Sequence, residues 1–269
     1  IGTNEIDKPE FIAYALHFCC WKSEVAGAAY LFICKLVDNS RGIAEMFCKS
    51  PACLKEMKTV AESGIGVFFC YALKYLASHS PDFSNALLED DFFPLLFNPL
   101  DSLDKDTLPN LKPIALGSIM VVVAALQNTT PNSNQLEITI RKLFRFVNQN
   151  TAAWDNSFFT KVLPGLSAAF SHHPPVSILE EHFAYVTFLM DYPEDLDFCA
   201  SENVISFIAV LMNWDDALEL LYSHGVVRYL LSKNYRELRV ENLSLLTRCT
   251  EAFALLISRY GVPDFQSLV

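Results

Sequence analysis

A chain of 269 residues and 30.3 kDa, 52% hydrophobic and only 19% charged, holds enough apolar material for a substantial core and too little charge for intrinsic disorder. A formal net charge of −11 disfavours a general nucleic-acid binder, which needs a lysine- and arginine-rich face to neutralise phosphates. Nine glycines against 21 phenylalanines argue against a turn-rich β-sandwich, and against enzymes built on several phosphate-cradling loops.

Nearly every segment reads as a helix of ten to twenty residues closed by a polar or proline turn. Asp7-Lys8-Pro9-Glu10 opens the first, an acidic start with proline in the first turn, and Phe11, Ala15 and Phe18 follow at helical spacing. Ser23-Glu24 opens "VAGAAYLFICKLV", apolar almost all round and therefore expected at the centre of the core; Asp38-Asn39-Ser40 closes it. Helices are predicted over Gly42–Lys49, Pro51–Ser63 and Ile65–Ser78, broken at "HSPD", and "FSNALLEDDFFPLLFNPL" divides into two short ones. Asn98 to Lys112, with two prolines and three aspartates, reads as an exposed loop between two halves of a single 1–269 helical domain. Helices then follow over Pro113–Gln127, Gln135–Gln149, Ser157–Ser171, Pro175–Asp191, Glu202–Met212, Asp215–His224, Val226–Lys233 and the long Arg239–Tyr260. No segment alternates as a strand would.

Six of the eight cysteines fall in the first seventy residues, mostly in apolar settings such as "LHFCCW" and "VFFCYAL". That is the setting of buried free thiols and points to the cytoplasm or nucleus, where two sequons, Asn128-Thr-Thr and Asn242-Leu-Ser, carry no weight. The chain opens on Ile1, so a missing leader says little. The longest apolar run, Ile114 to Leu126, is shorter than the about 20 residues that span a bilayer and reads as a buried helix.

The segments starting at Glu62, Leu88, Asp155, Ser201 and Ser223 share a form: a polar or glycine start, an aliphatic or aromatic pair, a leucine-rich helix and a polar stop. Their spacing is uneven. A short amphipathic helix cannot bury its apolar side alone, and stacking successive hairpins solves that. The pattern resembles the third, groove-lining helix of armadillo repeats, and "RVENLSLLTRCTEAFALLISRYG" resembles the long helix that ends many armadillo-like arrays. The resemblance spans most of the chain and implies an all-α, armadillo/HEAT-like right-handed α-solenoid of stacked short helices. The regular Gly-rich repeat starts and groove asparagines are missing, so it carries the fold and no functional residue.

Motifs for chemistry are few. "SHHPPVSILEEH", Ser171 to His182, holds three histidines and two glutamates, but His172 and His173 are adjacent in a turn and Glu180, Glu181 and His182 are consecutive, so the side chains diverge. The stretch reads as a helix–turn–helix corner fixed by Pro174-Pro175. Cys48-x4-Cys53 lacks a second ligand pair, and Cys19 and Cys20 sit two and three residues from His17, poorly placed for a Cys–His couple. Gly64-Ile65-Gly66 lacks the third glycine of a dinucleotide loop and any phosphate-binding lysine. No catalytic residue, cofactor or metal is assigned.

Two basic clusters remain as partner-binding candidates: Arg141, Lys142 and Arg145 in "TIRKLFRF", and Lys233, Arg236 and Arg239 with Tyr229 and Tyr235 around "SKNYRELRVEN". On an acidic chain these would receive an acidic peptide or segment. The expectation is a non-enzymatic protein-interaction or scaffold module that holds a partner protein or peptide along a helical-repeat surface. An alternative is a regulatory domain acting on a small GTPase, chaperone or cytoskeletal assembly factor. A third is an all-α enzyme whose ligands converge from distant segments.

Overall fold

A computed structural model describes residues 8–21, 24–40, 42–89, 92–101, 108–149, 156–191, 198–226, 229 and 243–261; all their regular elements are helices, and none of them lies in a strand. In chain order the helices are α1 (Glu10–Cys19), α2 (Glu24–Asn39), α3 (Ile43–Cys48), α4 (Pro51–Ser63), α5 (Val67–His79), α6 (Pro81–Leu87), α7 (Phe93–Asp101) and α8 (Leu108–Asn128). They continue with α9 (Ser133–Gln149), α10 (Asn156–Phe170), α11 (Val176–Glu181), α12 (Phe183–Asp191), α13 (Phe198–Leu211), α14 (Asp215–Ser223) and α15 (Leu243–Tyr260).

Local chemistry sets the boundaries. Ser50 and Ser80 are N-caps whose hydroxyls accept from the backbone N–H of Cys53 (3.4 Å) and Phe83 (3.2 Å), each with proline at the next position. Before α9 a capping box forms: Asn132 Oδ1 accepts from the Gln135 N–H (2.8 Å), and Gln135 Oε1 accepts from the Asn132 N–H (3.1 Å). Asn128 ends α8 by donating its amide to the carbonyls of Ala77 and Ala124, both at 3.0 Å, so this sequon residue serves packing.

Six of the helices reveal a repeat that the uneven segment starts conceal. α2, α5, α8, α10, α13 and α15 begin at residues 24, 67, 108, 156, 198 and 243, steps of 43, 41, 48, 42 and 45. Pairs of helices precede three of them: α3 and α4 before α5, α6 and α7 before α8, α11 and α12 before α13. A step of this size is that of helical repeats whose unit is two or three helices.

The chain forms two compact units, Ile1–Ile138 and Thr139–Val269. In the first, α5 packs against α1, α2, α6 and α8, and its Phe69, Cys70, Leu73 and Leu76 are fully buried. α8 approaches so closely that a Cβ at Gly117 would stand 2.9 Å from Cys70 Cβ and 3.3 Å from its Sγ. Beside it, Cys70 Sγ lies 3.7 Å from Ser118 Oγ and 3.9 Å from the Ile114 carbonyl. The glycines of Gly64-Ile65-Gly66 have structural roles, one conformational and one in packing. Gly64 takes φ +137°, and a Cβ at Gly66 would sit 3.0 Å from both the carbonyl of Cys19 and Cys20 Cα.

In the second unit α13 lies between α10 and α15, and α11 packs against α12 and α14. Its interior is a chain of rings: Phe144 to Phe170 at 6.1 Å, Phe170 to Phe207 at 5.7 Å and Phe170 to Trp214 at 5.6 Å.

Three expectations require correction. α2 buries only Ala26, Ile33, Leu36 and Val37, while Val25, Leu31 and Phe32 are 44–58% exposed, because α1 and α5 pack on part of its circumference and nothing described covers the rest. The helix predicted over Pro175–Asp191 is two, broken at His182 (φ −112°, ψ 11°), whose ring turns into the core. Within Asn98–Lys112, residues Asn98–Asp101 belong to α7 and Leu108–Lys112 to α8, leaving only 102–107, which lie outside the described residues. The predicted helix over Val226–Lys233 also falls mostly outside them.

Two glycine substitutions separate packing from propensity. Gly27→Ala in α2 would place its Cβ 3.5 Å from the Phe68 ring, an ordinary contact, and is expected to stabilise by up to about 1 kcal/mol through helix propensity. Gly117→Ala gains the same propensity but must displace Cys70, and is expected to destabilise by about 1–3 kcal/mol. Urea unfolding of both variants checks the opposite signs.

Candidate functional site

The sequence-expected basic cluster on α9 is only partly available. Arg141 donates from Nη1 to Glu181 Oε2 at 2.5 Å, with both side chains half exposed, so the guanidinium is engaged within its own unit. Arg145, one turn on, is exposed, and Lys142 is half-buried. Tyr229 is 6% exposed, its ring part of the interior rather than of a surface. Lys233, Tyr235, Arg236 and Arg239 lie outside the described residues.

"SHHPPVSILEEH" is the corner between α10 and α11. His173 takes the left-handed conformation (φ 52°), the only described non-glycine to do so, and its ring lies 5.0 Å from Trp214. Pro174 is buried and Pro175 caps α11. His182 stacks on Phe144 at 4.4 Å and 20°, with Glu181 Oε1 3.9 Å from its Nε2. The three histidines therefore part company, and among the described residues no three His, Cys, Asp or Glu side chains converge as metal ligands. His17, next to the thiols of Cys19 and Cys20, instead meets Glu56 of α4. Burial pushes the Cys19, Cys48 and Cys70 thiols up to about 12, which keeps them protonated and unreactive near neutrality.

The sequence reading missed the outer face of the long helices. Where α2 lies against α5, Tyr30, Phe68 and Tyr71 form a cluster with ring centroids 6.0–6.2 Å apart. Phe68 and Tyr71 are 36% and 37% exposed, and Gly27 leaves room beside the Phe68 ring. One turn beyond Tyr71, the Tyr75 hydroxyl donates to Asp38 Oδ1 at 2.5 Å, and this bond above all raises the phenol to about 12. Burial and a hydrogen bond to Cys34 likewise raise Tyr30 to about 12. Both phenols stay protonated, so the face offers apolar rings, donors and one carboxylate. In the second unit the corresponding long helices α13 and α15 border a groove of about 500 Å³, lined by Ser206, Val210, Asn213, Glu251 and Leu255 among others.

On α2 and α5, large exposed rings stand beside polar groups, the residue types found as anchors at interfaces. Two signals in the sequence bore on this cluster, the tyrosine at position 30 and the "FFCY" of α5. They lie some forty residues apart, and only the packing of α2 on α5 joins them. No described helix is long and apolar enough to cross a membrane.

Burial, partly offset by Glu181, holds the His182 imidazole below its ordinary value of 6.5. The unfolded chain therefore takes up this proton near 6.5 and the folded chain only at lower pH. This group leaves stability unchanged above that value and removes it as pH falls through 6.5 toward the folded value. His182→Phe, which keeps the stack on Phe144, is expected to flatten the loss of stability between roughly pH 7 and 5. Urea midpoints across that range measure it, and an unchanged slope would assign the acid sensitivity elsewhere.

No protein-family model matches this sequence, and no curated protein matches it. Solved structures do. An engineered protein superposes with a TM-score of 0.67 at 10% identity, over 92% of this chain and 96% of that one. A designed armadillo repeat protein gives 0.64 at 9% identity, over 91% and 99%. A second designed armadillo repeat protein, in complex with the peptide (KR)4, gives 0.65 at 11% identity, over 91% and 98%. The steps between long helices and these superpositions lead to one conclusion: the chain has an all-α, armadillo-like helical repeat fold.

Proposed function

We propose that this chain is a non-enzymatic interaction module that holds an extended peptide segment of a partner protein against the outer face of its long helices. The observation that carries the reading is the Tyr30–Phe68–Tyr71 cluster across α2 and α5, large rings left more than a third exposed at two of its three positions. Aromatic side chains have few rotors to freeze and a large contact area, so they anchor a peptide at low entropic cost. The second unit has a groove of its own between α13 and α15. Support also comes from the structural neighbour that carries a bound (KR)4 peptide.

The chemistry of the peptide follows from what lines each face. Asp38 beside the aromatic cluster, on a chain of net charge −11, favours a segment carrying Lys or Arg. In the second unit, exposed Arg145, next to Lys142 and Arg141 on α9, would receive an acidic segment. The free thiols of the first unit suit a reducing compartment, cytoplasm or nucleus.

Titration with octapeptides (KR)4 and (DE)4, and selection from a library of random extended peptides, tests the reading. Selected peptides are expected to lose roughly tenfold or more in affinity on Phe68→Ala or Tyr71→Ala, with the helical circular dichroism unchanged. Arg145→Glu is expected to affect only peptides with an acidic segment. A library that enriches no binder, or binders indifferent to Phe68 and Tyr71, would contradict the proposed face.

A further inference from the structure

We propose that Tyr30, Phe68 and Tyr71 form an aromatic cage that selects a trimethylated lysine in the partner's peptide. This occupant presupposes the peptide-binding face proposed above and names the side chain that anchors there.

The three rings stand at the corners of a nearly equilateral triangle. Centroids lie 6.2 Å apart for Tyr30 and Phe68, 6.1 Å for Tyr30 and Tyr71, and 6.0 Å for Phe68 and Tyr71. A cation attracted by a ring sits within about 6 Å of its centroid, so one cation over the middle of the triangle is in reach of all three. Interplanar angles of 38°, 58° and 90° mean that no two of these rings are parallel. They meet as inclined walls rather than as a flat stack. Phe68 and Tyr71 are each more than a third exposed, which leaves the outer side of the triangle open.

The walls are held in place before any ligand arrives. Phe68 rests beside the bare backbone of Gly27, where a Cβ would already stand 3.5 Å from the ring. Tyr30 is tied through its hydroxyl to Cys34, one turn further along the same face of α2. Preset walls lower the entropic cost of closing around a ligand.

Charge calls for a cation, and the chemistry of the rings decides which one. Asp38, two turns beyond Tyr30 on α2, supplies a carboxylate to this face, and Tyr75 already donates to its Oδ1. Lys35 and Lys74 lie about 140° around α2 from Tyr30 and about 120° around α5 from Phe68, on flanks turned away from the triangle. Ring faces offer no lone pair, and backbone carbonyls in the middle of α2 and α5 accept within their own helices. A plain lysine ammonium over the rings would therefore shed water from its N–H donors without replacement. A trimethylammonium keeps the positive charge, has no donor to satisfy and turns apolar methyl groups to the rings. A choline headgroup carries the same cation, but its phosphate follows close behind and Asp38 would repel it. Lysine brings the charge on an apolar stem, which favours a modified peptide over a lipid.

Calorimetric titration of the full chain with an alanine–serine octapeptide bearing one central lysine, in its un-, mono-, di- and trimethylated forms, tests this. Affinity is expected to rise with each methyl group, by roughly tenfold in all. The neutral tert-butyl isostere, with carbon in place of the charged nitrogen, should bind no better than the unmethylated peptide. Phe68→Leu and Tyr71→Leu keep apolar bulk but remove a ring face, and each should erase the methyl preference with the helical circular dichroism unchanged. Should a variant lose its fold, the tert-butyl arm on the unaltered chain decides alone. Tetramethylammonium chloride, followed by the ring-proton resonances of the three residues, probes the cage without any peptide, and all three rings are expected to respond. Peptides that bind through Phe68 and Tyr71 equally well at every methylation state, or a tert-butyl isostere as tight as trimethyllysine, would overturn the cage and leave the peptide face standing. Ring resonances unmoved by tetramethylammonium would overturn it as well. Responding rings with no peptide bound in any form would contradict the peptide face, and this occupant with it. Phosphatidylcholine vesicles should leave the chain in solution; co-sedimentation with them through the same rings would overturn the lysine assignment.

Discussion

The absence of a side chain at Gly117 is what the first unit depends on most. It lets α8 come within a single Cβ of Cys70, and that distance fixes where α8 lies on α5. α5 in turn is the element on which α1, α2 and α6 also rest. Close approach brings dispersion contacts along the whole length of both helices, which individually are tiny and together substantial. Gly66 works the same way at the start of α5, where it allows the helix to begin against the backbone of Cys19 and Cys20. Once α5 is seated, its outer surface is already chosen: Phe68 and Tyr71 point away from Phe69, Cys70 and Leu73 by helix geometry alone. The candidate binding face is therefore a consequence of core packing.

The second unit reaches a similar result by different means. Its interior is held by rings rather than by glycine contacts, with Phe170 touching Phe144, Phe207 and Trp214. His182 extends that row by stacking on Phe144, and the price is a break between α11 and α12. The break returns the chain at the length needed to place two short helices before α13. Local irregularity here supports the repeat instead of interrupting it.

Much of the fold was legible in the residues. Serine or acidic starts followed by proline located α1, α4 and α6, and the double proline after His173 located the corner before α11, because capping and proline act within a few positions of themselves. The period was not legible. Segments beginning at Glu62 and Asp155 precede α5 and α10, whereas the one at Leu88 precedes α7 and the one at Ser201 starts within α13, so comparing their starts mixed unlike positions of the repeat. The break at His182 was hidden for another reason: every residue there tolerates a helix, and only the Phe144 ring makes turning inward worthwhile. The site followed the same division. Arg141, Lys142 and Arg145 stand out because they are neighbours in sequence, yet Glu181, forty residues away, engages the first of them. Tyr30 and Phe68 form one surface only through the contact of α2 with α5, which no local pattern announces.

Central to all of this is the claim that within each unit a packed set of helices, α2, α5 and α8 in the first and α10, α13 and α15 in the second, is the stable frame to which the other helices are attached. Residue-resolved amide hydrogen exchange measures this most directly, since the amides that open only on global unfolding mark the frame. The slowest amides are expected in α5 and α8 around Cys70–Ala77 and Ala115–Leu126, and in α13, with α3, α6 and α11 exchanging faster. Slow exchange confined to the short helices, with α5 and α8 opening early, would contradict it.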